Sequence, residues 1–170
     1  MLNCNFKFVL AGVLCSIASI AEATSLGVQV PAVYDDNAYV REKVKECVHI
    51  DEVVATSAFS AIQKKQEDTV KTSDAVEQTG RVIKLTIVGV VAAGGGGWSG
   101  AKTITVRADI YQNGDVIKST IKSRNGRGGA FGGIKGTCAI VQNVAEVVGV
   151  DIANWYLSIE ETLPSPLEEP

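Results

Sequence analysis

The sequence contains few of the residues that build metal and catalytic sites. Among its 170 residues there is a single histidine, His49, and aromatic residues make up only 6%. A metal site with several histidines is therefore excluded, as is a catalytic triad that needs a second imidazole. The formal net charge of −3 also argues against nucleic acid as a partner, because nucleic-acid-binding surfaces are basic.

Nucleotide-binding motifs are missing as well, although two segments come near to them. Residues 95–100 have the glycine spacing of a dinucleotide fingerprint, but a predicted strand follows where a helix is required. In residues 133–137 the lysine and threonine of a P-loop are separated by Gly136. No serine lies in a Gly-x-Ser-x-Gly elbow. We therefore expect no cofactor and no enzymatic activity.

The first 23 residues carry the pattern of a secretory signal peptide. Lys7 supplies a positive charge, residues 8–20 are apolar, and Ala21-Glu22-Ala23 has the small-x-small pattern of a cleavage site. A permanent anchor is the alternative, but the apolar run is short for a span. A lipoprotein signal would need a small residue where Leu14 precedes Cys15. We expect cleavage after Ala23, a periplasmic or secreted product, and no stable membrane span in the mature chain.

Cleavage leaves Cys47 and Cys138 as the cysteines of the mature chain. In an oxidising compartment such a pair predicts a disulfide bond. This bond would stabilise the fold by about 4–5 kcal/mol in the chain-entropy model. The alternatives are two buried thiols, or a reactive Cys138 at a helix N-terminus that would serve a thiol-dependent enzyme. We interpret His49 as an exposed or capping residue.

The clearest secondary structure is a meander of three strands, over residues 81–93, 101–112 and 116–124. Their apolar residues alternate, and Asn113-Gly114 predicts a two-residue hairpin loop because both positions tolerate positive φ. That loop fixes a register. Three cross-strand pairs are expected: Ile110 with Ile117, Val106 with Ile121, and Asp109 with Lys118.

The segments around the meander are predicted to be mostly helical. A short edge strand is expected before Pro31, and a brief strand near Val70. Residues 37–65 have helical spacing with Asp51 able to cap a helix, but one helix, two helices or an included strand all remain open. Thr137 is expected to cap a helix that runs to about residue 157 and is bent or interrupted at Gly149.

The composition, with 46% hydrophobic and 21% charged residues, is sufficient for a buried core. We predict an α+β two-layer sandwich, in which an antiparallel sheet of three to five strands has helices packed on one face. The domain would span residues 24–160, between the signal peptide of residues 1–23 and a disordered tail of residues 161–170.

Eleven of the 17 glycines lie in two segments, 94–100 and 126–136. The meander places both segments at one end of the sheet, beside the N-terminus of the last helix; we call this the glycine-loop end. Glycine allows close approach of a ligand, and cations with exposed amides suit an anion. The alternative is that the glycines serve tight turns and the aromatic side chains cover the core. The candidate binding residues are Trp98, Lys102, Arg124, Arg127, Phe131 and Lys135.

The chain resembles an uncharacterised family of small periplasmic proteins from Gram-negative bacteria. The resemblance covers roughly the C-terminal half, with a weaker match at residues 28–31 and Cys47. It rests on Gly95-Gly-Gly-Trp98-Ser-Gly100-Ala-Lys102, on Asn113-Gly114, on Gly128-Gly-Ala-Phe131-Gly-Gly-Ile-Lys135-Gly-Thr-Cys138 and on Asp151-Ile-Ala-Asn-Trp155. It implies an exported α+β domain and supplies no activity.

From these observations we expect an exported, non-enzymatic protein that binds an envelope or extracellular protein through the glycine-loop end. A module that binds a small anionic molecule is one alternative, and a thiol-dependent enzyme is another.

Overall fold

A computed structural model of the chain describes residues 25–41, 44, 47, 49–74, 80–92, 100–127 and 136–164. Among the described residues, two helices and six strands have both bounds defined, and a 3-10 turn follows at Glu160–Thr162. The helices are α1 (Ile50–Gln63) and α2 (Thr137–Ile159). The strands are β1 (Gly27–Gln29), β2 (Val33–Val40), β3 (Val70–Thr72), β4 (Arg81–Val91), β5 (Lys102–Gln112) and β6 (Asp115–Gly126).

The six strands form one open sheet in the order β3-β1-β4-β5-β6, with β2 also paired to β4. Strands β4, β5 and β6 are the predicted antiparallel meander. Strands β1 and β2 run parallel to β4 along its other side, and β3 runs parallel to β1. The predicted α+β class is confirmed, with six strands instead of three to five because of these short parallel strands.

The core lies between the sheet and the two helices. Strands β4 and β5 turn alternate apolar side chains towards the helices, as period-two strands do. These side chains are fully buried: Ile83, Leu85, Ile87, Ile104, Val106, Ala108 and Ile110. The helices meet them with apolar stripes that are also buried: Val54, Ala55, Ala58 and Ile62 from α1, and Val141, Ala145, Val148 and Ile152 from α2.

The N-terminal part differs from the sequence prediction in its strands. Strand β1 is not an edge strand, because it lies between β3 and β4. Pro31, which lacks an amide proton, falls in the gap between β1 and β2. Residues 37–40 belong to β2, where Tyr39 and Val40 pair with β4. Of the alternatives open for residues 37–65, the one with an included strand is therefore present at their start, where pairing with β4 decides the conformation.

The N-cap of α1 also differs from the sequence prediction. His49 occupies the N-cap position with a left-handed backbone (φ 62°), and Asp51 is the second helical residue, not the cap. The His49 side chain is 71% exposed, as expected, with its Nδ1 3.4 Å from the Glu52 carboxylate. Both acidic residues lie in the first turn, where a carboxylate interacts favourably with the helix dipole.

The predicted disulfide bond is confirmed between Cys47 and Cys138, 91 residues apart in the sequence. It joins the connection that precedes α1 to the first turn of α2. Both ends of this bond are close to the end of the sheet from which the glycine segments leave. The bond therefore ties the helix layer together at that end.

The predicted register of the hairpin is wrong beyond its first two pairs. Gln112 pairs with Asp115 and Tyr111 with Val116, as a two-residue loop requires. A β-bulge follows, in which Ile117 is the extra residue of β6 and packs against the core. All later pairs are shifted by one: Ile110 faces Lys118, Asp109 faces Ser119, and Val106 faces Lys122.

Helix α2 is continuous through Gly149, where the sequence predicted a bend or an interruption. The glycine instead allows α1 and α2 to approach backbone to backbone. A Cβ atom at this position would lie 2.4 Å from the carbonyl oxygen of Val54 and 3.1 Å from the amide nitrogen of Ala58. Close packing between the two helices therefore requires a residue without a side chain at position 149.

We expect Gly149→Ala to lower the free energy of unfolding by about 3 kcal/mol, because two helix backbones would have to move apart. Alanine ordinarily stabilises a helix relative to glycine, so the sign itself tests the contact. The matched control is Gly89→Ala in β4, where the nearest atom to a new Cβ would be 3.5 Å away. Chemical denaturation of both variants measures the effect, and equal stabilities would contradict the close contact.

Candidate functional site

The described residues that flank the two glycine segments lie side by side. Val91 at the end of β4 pairs with Thr103, and Lys102 at the start of β5 pairs with Gly126 at the end of β6. Helix α2 starts over the same strand end, since a Cβ at Gly126 would lie 2.8 Å from the Cγ2 atom of Val144. Both segments therefore leave the sheet at one end.

The predicted site residues have different environments. Trp98, Phe131 and Lys135 lie outside the described residues. Lys102 is fully buried on the helix side of the sheet, and its Nζ donates a hydrogen bond to the Gly100 carbonyl at 3.2 Å. It therefore belongs to the framework of the glycine-loop end and not to its surface.

Arg124 and Arg127 are exposed cations next to the glycine-loop end. The Arg124 guanidinium donates two hydrogen bonds to the Asp151 carboxylate of α2, one of them 2.8 Å from Nη2 to Oδ1. These hydrogen bonds, together with the negative charge of Asp151, raise the pKa of Arg124. The pair fixes the Arg124 side chain across the space between β6 and α2.

A groove of ≈ 380 Å³ lies between β6 and α2; we call it the basic groove. Two cations, one of them already paired with Asp151, lie there with hydroxyl, amide and indole groups. Such a set can bind carboxylate groups through charge-assisted hydrogen bonds. The groove is lined by Lys122, Ser123, Arg124, Asp151, Asn154, Trp155 and Ser158.

Sequence reasoning identified Arg124 as a binding candidate but missed Lys122, Asn154 and Trp155. The wrong register placed Lys122 on the other face of β6, and the helical stripe assigned Trp155 to the core. Trp155 is in fact only partly buried. The opposite charges of Arg124 and Asp151 were the only sequence signal for this groove. Inferring an ion pair between them requires knowing that α2 crosses β6.

A second set of polar residues lies at the opposite end of the sheet; we call it the polar cluster. The Arg81 guanidinium donates hydrogen bonds to Gln112 Oε1 at 3.0 Å and to the Pro164 carbonyl. Next to it are the buried phenol of Tyr156 and a hydrogen bond from Gln66 to Glu160. This cluster holds the end of α2 and the following turn against β4 and β5.

Among the described residues there is neither a metal-binding cluster nor a membrane-spanning helix. No group of three or more His, Cys, Asp or Glu side chains among them could hold a metal ion. In the same part of the chain, neither helix combines the length and apolar character needed to cross a membrane. A wider groove of ≈ 530 Å³ on the outside of α1 and α2 has lining charges of both signs, among them Glu52, Lys64 and Glu146.

No family model and no curated protein matches the chain. Solved structures do match it in fold. Protein XCC0632 from Xanthomonas campestris, of family DUF330, has a TM-score of 0.55 at 11% identity, over 81% of this chain and 86% of that chain. A protein described as uncharacterised has a TM-score of 0.51 at 13% identity, over 80% and 92%. The PelC dodecamer from Paraburkholderia phytofirmans has a TM-score of 0.48 at 14% identity, over 75% and 86%.

At these identities the first two likenesses show a shared fold. They agree with the resemblance to an uncharacterised Gram-negative family at the level of the α+β fold. The glycine motifs on which that resemblance rests lie mostly in residues 93–99 and 128–135, outside the described residues.

Tyr156 provides a test of the polar cluster at alkaline pH. Burial, and then the charge of Glu160, raise the pKa of its phenol, although Arg81 and Gln66 partly oppose the shift. The unfolded chain therefore releases this proton first, at about pH 10, and stability is lost as the pH rises from there through the higher folded pKa.

We expect the wild type to lose stability more steeply than Tyr156→Phe between about pH 9 and about pH 11. Unfolding free energies from denaturant titrations at several pH values would measure both slopes. Tyr39→Phe is the control, because the Tyr39 side chain is 58% exposed. Parallel slopes for the wild type and Tyr156→Phe would show that this phenol does not resist ionisation in the folded state.

Proposed function

We propose that the chain is an exported, non-enzymatic protein that binds a partner protein at its glycine-loop end and the adjoining basic groove. The strand register supports this assignment most directly. The pairs Val91–Thr103 and Lys102–Gly126 bring the bases of both glycine segments together in one row. Two glycine-rich segments that start from one row can form a single continuous surface.

The base of that surface is held by strand pairing and a disulfide bond, which favours recognition. Loops that carry binding functions are typically mounted on a stable scaffold. Here the scaffold consists of the ends of β4, β5 and β6, the first turns of α2, and the Cys47–Cys138 bond. Little conformational entropy of this base would therefore be lost when a partner binds.

The exposed cations support a partner with acidic groups at the contact. Arg127 follows β6 directly, and Arg124 lies two residues before the end of that strand. Lys122 lines the basic groove with Arg124, so three cations lie within six residues of a chain whose formal net charge is −3. Opposite charges on a partner would steer its approach and fix its orientation.

Two observations support export and a non-enzymatic role. The leader pattern of residues 1–23 is joined by a disulfide bond, and such bonds persist in oxidising compartments. The same bond removes Cys47 and Cys138 as thiolates, so the thiol-dependent alternative loses its predicted nucleophile.

Export predicts a defined mature product. When the full chain is expressed with its own leader in a Gram-negative bacterium, we expect the mature form outside the cytoplasm to begin at Thr24. We also expect Cys47 and Cys138 to resist thiol labelling until a reductant is added. Intact-mass and N-terminal analysis of each fraction measures both. Cytosolic material that retains Met1 and has both sulfurs reduced would contradict export.

Partner binding predicts that surface substitutions at the glycine-loop end abolish capture while leaving the fold intact. We expect Trp98→Ala with Lys135→Ala, and separately Arg127→Glu, to lose a protein that the wild type captures from envelope extract by cross-linking. The control is Lys65→Glu, which makes the same charge change at the exposed end of α1.

Capture that is unchanged in all variants would refute partner binding at this end. A thermal shift of the wild type with phosphate, carboxylates or sugar acids, lost in Arg127→Glu, would favour the small-anion alternative instead.

A further inference from the structure

Strand β6 is one edge of the sheet. It has twelve residues and is the last strand of the order, next to β5. No other strand of the described chain pairs with its outer side. An edge strand presents a row of backbone N–H and C=O groups without strand partners. After the bulge at Ile117, β6 pairs with β5 without further interruption up to Gly126. The outer side of this regular part can therefore accept another strand.

The register gives the two faces of β6 different chemistry. Lys118, Lys122 and Arg124 lie opposite the buried residues Ile110, Val106 and Ile104, so all three cations are on the helix side. Ser119, Ile121 and Ser123 lie on the open face of the sheet. Ile121 is 64% exposed there, although it is a β-branched apolar residue in the middle of a strand.

These charges disfavour a second copy of the chain at the edge. Two copies could pair antiparallel through β6 with both helix layers on the same side of the joined sheet. When the two-fold axis of such a pair passes through any residue from Thr120 to Ser123, two cations face each other across the pair. The register centred on Thr120, for example, pairs Lys118 with Lys122 of the partner subunit. Like charges in directly opposed positions destabilise a strand pair.

We propose that the edge of β6 binds an extended segment of a partner protein in which acidic residues alternate with apolar or hydroxyl residues. The segment adds a strand to the sheet through backbone hydrogen bonds. Its acidic side chains lie on the helix side, next to Lys118, Lys122 and the basic groove, and its other side chains lie next to Ile121. This inference rests on the proposed function, because it names the class of partner.

Protection of the edge against aggregation explains only part of this pattern. Lysines and bulges on edge strands do discourage unwanted pairing. However, the bulge at Ile117 is close to the hairpin loop, and the strand beyond it is regular. An exposed isoleucine in that regular part does not protect an edge. The cations that repel a second copy are also the groups that attract an acidic strand.

Two synthetic octapeptides of equal composition test the proposal on the mature wild-type protein. The alternating peptide is Glu-Val-Glu-Thr-Glu-Val-Glu-Thr, and the block peptide is Glu-Glu-Glu-Glu-Val-Thr-Val-Thr. Both carry the same charge, but only the first places its carboxylates on one face of a strand. We expect the alternating peptide to bind at least about tenfold more tightly. It should also slow hydrogen exchange at alternate amides of residues 118–126.

Charge reversal on β6 tests the same contact from the side of the protein. We expect Lys118→Glu with Lys122→Glu to weaken binding of the alternating peptide at least about tenfold, and to favour a peptide with lysine in place of glutamate. The control is Lys64→Glu with Lys65→Glu, which makes an equal charge change at the exposed end of α1 and should leave the affinity unchanged.

Equal affinities for the alternating and block peptides, or exchange protection outside β6, would overturn strand addition. So would dimers that protect β6 amides without peptide, since a second copy would then occupy the edge. These measurements on the wild type are decisive even if the charge-reversed variant does not fold. The proposed function has its own readout, because capture that survives both Trp98→Ala with Lys135→Ala and Arg127→Glu refutes the glycine-loop end and does not alter the peptide comparison.

Discussion

The structure depends on covering the apolar face of β4 and β5 with two helices that lie side by side. That cover is continuous because α1 and α2 touch through their backbones at Gly149, where a Cβ atom would lie 2.4 Å from a carbonyl oxygen. A wider separation would leave a gap above the central strands, and unfilled space in a core is costly. The helix layer then reaches β6 only along one flank of α2, so the helix side of β6 remains partly open to solvent.

This incomplete cover explains why charged side chains occupy the helix side of β6. Where α2 crosses the strand, Arg124 and Asp151 form an ion pair, and Lys122 extends the positive surface along the groove. A fully covered strand would need apolar residues at these positions, because buried charges are costly unless paired. The basic groove therefore has its origin in the width of the helix layer.

The two ends of the sheet differ in how they are held together. At the glycine-loop end, the covalent bond from Cys47 to Cys138 joins the connection before α1 to the first turn of α2. At the other end, Arg81 and Tyr156 join strands, helix and the following turn through buried polar contacts. One end is therefore held by a covalent bond and the other by buried hydrogen bonds.

The sequence by itself determined the meander, the hairpin loop and the cysteine pair, because strand periodicity, Asn113-Gly114 and the count of cysteines are local signals. It could not determine the bulge at Ile117, because the residue types along β6 do not show whether one residue is left out of the pairing with β5. Tertiary packing made that choice by turning Ile117 into the core. It thereby decided which face of β6 carries the cations, and it converted Gly149 from an expected break into the contact between two helices.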